Sequence, residues 1–267
     1  MTPLPHDAYV DHLRRESARF REGLADGDLT ARVPSCPDWD AGDLLWHLGA
    51  QVQEFWARMV EQRPVGPPDD WTEPPRPDAD DGLLDTFDAA TARLADGLAA
   101  ADPREEAWTW STDHTVAFIA RRQAHEALIH RLDAELAAGT VTDLDPRLAA
   151  DGVAECLGVM YGGAPPWGTF TPGDGLVRFD LTDVSESLWV RLGTFTGTDP
   201  DSGTTYADEP DIDLVPDPGV EPDAVVSGPA GPMDTWLWHR GDDAAITVTG
   251  DPGVRDRLAA ILGQSIA

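Results

Sequence analysis

The apolar period changes once along this chain. Up to about residue 162, apolar residues recur at three- and four-residue steps, as on helices that bury one face. Beyond about residue 172 they alternate, as in strands that bury one side of a sheet. A chain that switches period in this way cannot be one layer repeated. It divides near residues 165–172, in "PPWGTFTPG". The expected fold is therefore two-domain, α followed by α/β. Residues 1–165 form a helical bundle and residues 172–267 a small α+β domain. With 267 residues, each part is long enough to bury a core.

Within the first part the spacing predicts helices over about 7–26, 41–62, 80–100, 114–138 and 146–162. Asp40 is placed as the N-cap of the second helix, with Asp43 completing a capping box. Gly139 ends the fourth helix. The proline-rich stretch 63–78 reads as a long connection, and "VPSCPDWD" as a proline-punctuated turn. In the second part, "GLVRFDLTD", "SLWVRLGTF" and "AAITVTGD" read as strands. "PAGPMDTWLWHRG" reads as a short helix and "PGVRDRLAAILGQ" as a closing one.

Charge excludes whole classes of partner. The formal net charge is −30, and all nineteen basic residues are arginine. So acidic a surface repels phosphate backbones and anionic membranes, so neither nucleic acid nor a membrane is an expected partner. Neither a basic, apolar leader nor a run of about 18 apolar residues is present, and the plain expectation is a cytoplasmic protein. Cys36 and Cys156 are too few for a disulfide framework and read as packing residues. The arginine-only, Ala/Asp/Gly/Pro-rich usage resembles that of a GC-rich actinobacterial genome.

The polar residues of "RRQAHEALIHRLDAE" decide the chemistry. Glu126 and His130 lie four apart and share a helix face. His125 and His130 lie five apart, about 140° around the helix, and cannot easily hold one ion. A metal site built on Glu126 and His130 needs a third ligand from another helix. The best candidate is His47, in "DLLWHLGAQ", on the apolar side between Leu44 and Leu48. Two neutral imidazoles and a carboxylate make a common catalytic set with an open position. Asp133 is placed to orient a ligand histidine. Spacing alone leaves the alternative open that Glu126 and His130 are an ordinary i,i+4 pair. His6, His114 and His239 are weaker candidates, and His125 and Glu135 are not expected as ligands.

"VPSCPDWDAGDLLWHLG" and "RRQAHEALIHRLDAE" resemble the two signatures of the mycothiol-dependent maleylpyruvate isomerase family, V-x-x-C-P-x-W-x-x-x-x-L-x-x-H-L and H-E-x-x-x-H-R-x-D-A-E. "AVVSGPAGPMDTWLWHRGDDAAITVTGD" resembles the family's sterol-carrier-like C-terminal module, so the resemblance covers nearly the whole chain. It implies a DinB-like up-down four-helix bundle in the first domain. It also implies that His47, Glu126 and His130 bind a divalent metal, usually zinc. Arg240, in "WHRG", matches a family arginine whose fork suits a carboxylate; a surface ion pair is the alternative.

The chemistry implied is that of a thiol activated on the metal. Mycothiol adds to an electron-poor cis double bond, the resulting single bond rotates, and elimination returns the thiol and the trans isomer. Addition without elimination gives an S-transferase. A zinc hydrolase, or a ligand-binding or regulatory protein without turnover, remains as the alternative. The expected partners are a small-molecule substrate and a low-molecular-weight thiol, with the chain a monomer.

Overall fold

Helix α1 (His6–Ala25) lays Leu13, Phe20 and Leu24 against the interior. A short hairpin follows, β1 (Arg32–Val33) and β2 (Cys36–Asp40), its two-residue turn made by Pro34 and Ser35. These features come from a computed structural model that describes residues 2–25, 27–68, 70–264 and 266. The expected end of the first helix at Asp26 lies outside the described residues.

Helix α2 (Ala41–Trp46) starts as the sequence dictates. Asp40 accepts from the Asp43 amide, Asp43 accepts from the Asp40 amide, and Arg76 binds both carboxylates. The helix then widens into π-type turns over His47–Gln53 before resuming as α3 (Glu54–Gln62). The spacing predicted one regular helix over 41–62. Period counting does not register a π segment, which keeps the axis and changes only the turn width. Gly49 sits in this segment, where a Cβ would come within 3.0 Å of the Phe87 backbone. The bare glycine lets α4 (Leu83–Ala100) approach closely. Helix α4 starts three residues later than its predicted start at 80, after Gly82 at φ +86°.

Helix α5 (Val116–Ala138) is capped by Thr115 and ends at Gly139, φ +73°. It packs along α1 and meets α2 and α3. Together these elements form the helical unit Leu4–Asp143. Phe20, Leu44, Leu45, Leu48 and Phe87 are at its centre, with the Phe20 and Phe87 rings 4.9 Å apart.

The second unit begins at Leu144, ahead of the change of period at 165–172. Helix α6 (Pro146–Glu155), which the periodicity groups with the bundle, packs instead on α7 (Ala230–Leu237). Helical periodicity says that a face is buried, not against what. The five-stranded sheet has the order β5-β4-β3-β6-β7. Strands β3 (Gly168–Leu181), β4 (Glu186–Thr198) and β5 (Thr205–Val215) form an antiparallel meander. Strand β6 (Ala224–Gly228) returns parallel to β3, and β7 (Thr247–Gly250) closes the edge. Helix α8 (Pro252–Leu262) covers β5, β7 and β3.

Two corrections to the sequence reading fall here. "PPWGTFTPG" is largely the first part of β3 and not a linker. The acidic segment 196–222, to which the sequence reading assigns no strand, contains the whole of β5. That strand carries a proline and four acids and buries only Ile212 fully, so it has no clear alternation. Strand β6 has five residues, too few for a period to show.

The capping box gives the first prediction. Asp40→Ala removes the N-cap acceptor of α2 and is expected to lower unfolding free energy by about 1 kcal/mol. Asp40→Asn, which keeps an acceptor, should cost less. Urea denaturation of both variants checks this.

Candidate functional site

Helix α5 has buried residues around most of its circumference, so its polar groups must be paired within the protein. They fall into two sets. Arg131, fully buried, donates to Glu16 at 3.0 Å and to Glu135 at 2.9 Å, and Glu135 also accepts from Thr142. This set ties α1, α5 and the following loop together. His125 packs edge-on to Tyr9, with ring centroids 6.3 Å apart.

The other set holds Glu126 and His130. His130 Nδ1 is 2.9 Å from Asp133 Oδ2. A carboxylate only accepts, so Nδ1 carries the proton and Nε2 carries the lone pair when the ring is neutral. Nε2 is 3.9 Å from Glu126 Oε2. His47 comes from the π segment of the other helix. Its ring stands nearly perpendicular to that of His130, with centroids 5.2 Å apart. The three residues named from the sequence are thus neighbours in space.

The surroundings orient His47. Its Nδ1 is 3.2 Å from Gln51 Oε1. The Gln51 amide in turn donates from Nε2 to the Pro74 carbonyl, which fixes Oε1 toward the imidazole. Nδ1 is therefore the donor, and Nε2 is again the bare nitrogen. Trp39, from the C-P-D-W motif, covers the ring at 4.7 Å. Trp46 donates to the same Pro74 carbonyl, so the proline-rich connection is fastened across this part of the helix.

Electrostatics set the protonation states. Burial, with repulsion from His130, lowers the His47 pKa to about 4, so its imidazole is neutral at pH 7. Burial opposes ionisation of Glu126, but Arg122, His130 and His47 outweigh it and bring its pKa to about 2. Arg122 Nη2 is 2.6 Å from Glu126 Oε2.

Two bare imidazole nitrogens and one ionised carboxylate are the donors a divalent ion requires. They are adjacent but not converged: among the described residues, no group of three or more His, Cys, Asp or Glu side chains has metal-site geometry. Glu126 is turned to Arg122 instead. The donor chemistry fits an ion, and the carboxylate would have to be shared with or released by Arg122.

Arg240 lies in the second unit. Its Nη1 donates to the Trp238 carbonyl at 2.8 Å, and the guanidinium lies 6.0 Å from the Trp238 ring centroid. In the same unit Trp167, Phe195, Tyr206 and Asp211 line a cavity of about 670 Å³. Tyr206 and Asp211 of this wall belong to β5. Sequence reasoning singled out Asp133 but missed Trp39, Gln51 and Arg122. Trp39 lies inside the first motif, and Gln51 lies four residues after His47, within reach of the helix spacing.

Residues 10–135 match the family model for the mycothiol maleylpyruvate isomerase N-terminal domain. Residues 147–257 match that for the C-terminal domain of the same enzyme. The chain belongs to the mycothiol maleylpyruvate isomerase family. Its fold is similar to the crystal structures of the mycothiol-dependent maleylpyruvate isomerase and of a histidine-to-alanine mutant of that enzyme. Each has a TM-score of 0.57 and 16% identity, with 93% of this chain and 96% of that chain covered. At that identity the likeness is one of fold. No curated protein matches the sequence.

Arg131 supplies a test of the first polar set. Arg131→Met removes the nearest cation of Glu16 and Glu135, leaving Arg19 3.7 Å and 3.5 Å from them and Arg15 3.6 Å from Glu16, and is expected to lower stability by about 3 kcal/mol. Thermal unfolding measures the loss.

Proposed function

We propose that this chain is a mycothiol-using, metal-dependent isomerase acting on a small cis-unsaturated acid of the maleylpyruvate type. The observation that carries the reading is the meeting of His47 with Glu126 and His130 in a chain of this family. A divalent ion held there, zinc by its ligand preference, would lower the pKa of a bound thiol and polarise a carbonyl.

This chain's own residues do the rest. His47 and His130 keep their Nε2 lone pairs bare because Gln51 and Asp133 hold the Nδ1 protons. Arg122 holds Glu126 ionised. Trp39 packs against one side of His47. Thiol addition makes the former double bond a rotatable single bond, and elimination restores both the thiol and the double bond. The protein needs to position the two reactants, not to supply a nucleophile of its own. Arg240 is assigned to the substrate carboxylate, which a guanidinium binds bidentately.

Two measurements test this. Elemental analysis of protein purified without chelator should give about one zinc per chain, lost in His47→Ala and in His130→Ala. Absence of metal after reloading the wild type would overturn the metal reading. With mycothiol and maleylpyruvate, Arg240→Ala should raise KM about 10–100-fold, the effect of losing a charge-assisted pair. An unchanged KM would remove Arg240 from the site.

A further inference from the structure

The hairpin between α1 and α2 reaches the candidate site through one hydroxyl. Ser35 is the second residue of its two-residue turn, and Val33, fully buried, anchors β1 against α5. Ser35 Oγ lies 2.5 Å from Asp133 Oδ1, across 98 residues of sequence. The other oxygen of the same carboxylate, Oδ2, accepts from His130 Nδ1 at 2.9 Å. Asp133 is itself fully buried. The three groups form a chain: hydroxyl, carboxylate, imidazole.

The direction of each bond follows from the chemistry. The carboxylate accepts at both oxygens, so the hydroxyl and the imidazole N–H both donate to it. The hydroxyl on Oδ1 adds a restraint on rotation of the carboxylate about its terminal bond, and so on the plane of the imidazole that Oδ2 holds. We propose that Ser35 is a positioning residue of the candidate ion site: through Asp133 it fixes His130 in the tautomer and orientation that present Nε2 toward Glu126 and His47. The proposal rests on the reading of His130 as a ligand. Ser35 touches neither the reacting atoms nor the ion, and its effect is exerted through the carboxylate. Groups that orient metal-bound histidines in this way change metal affinity by about 10–100-fold when removed.

The hydroxyl could instead serve only to fasten the hairpin to α5. Ser35→Ala and Ser35→Thr separate the two roles, since threonine keeps the hydroxyl. Zinc dissociation constants, measured by competition with a chromophoric chelator, should weaken about 10–100-fold in Ser35→Ala and recover in Ser35→Thr. In the metal-free protein, ¹⁵N-resolved histidine spectra should show a single Nδ1–H tautomer for His130 in the wild type and a mixture in Ser35→Ala. A purely fastening role predicts a lower denaturation midpoint with zinc affinity within about twofold and the tautomer unchanged; that result overturns the proposal. If the wild type binds no zinc, the metal reading fails on its own, and the tautomer measurement still decides whether Ser35 governs His130.

Discussion

Everything in the helical unit is arranged around one constraint: α5 is buried on most of its sides yet carries charged groups from Arg122 to Glu135. A buried charge without a partner costs several kcal/mol, so each must find one inside the protein. Successive residues of a helix point about 100° apart. Arg131 and His130 are therefore adjacent in sequence but serve different neighbours. Arg131 draws Glu16 of α1 to it, whereas His130 faces the helix that bears His47. One helix can in this way be both the structural spine and one wall of the candidate site.

How much of this the sequence conveyed depends on the range of the interaction. The capping box at Asp40 was legible because it is made within four residues. The Glu126–His130 pair and the orienting role of Asp133 were legible because helix geometry places them. Spacing gave His47 only as the best candidate; the family resemblance joined it to the other two. Ser35 was not legible, since its partner is brought to it by tertiary packing alone. Neither was the pairing of Glu126 with Arg122 foreseen, although the two are four apart on one helix.

The second unit was read less well for a different reason. Strands β3 and β4 bury one face and show it as alternation. Strand β5 is an edge strand, mostly exposed, and its acids carry no periodic signal. Acids on an edge are a recognised way of keeping it from pairing with other chains. The feature that hid the strand from the sequence thus has a physical purpose in the fold. The boundary was misplaced because α6 has the period of the bundle but the partner of the sheet domain.

The parallel pairing of β6 with β3 has a consequence for how the chain reaches its native state. The β3–β4–β5 meander can form from neighbours in sequence, but β6 must find the far side of β3 after the whole meander has passed. Such non-local closure carries a loop-entropy cost before any contact repays it. During synthesis the free edge of β3 stays open until residue 228 has emerged and the β6 segment has docked. The helical unit, encoded earlier, has by then been available to fold. The most non-local strand closure of this chain thus lies in the sheet rather than in the helices that carry the candidate site.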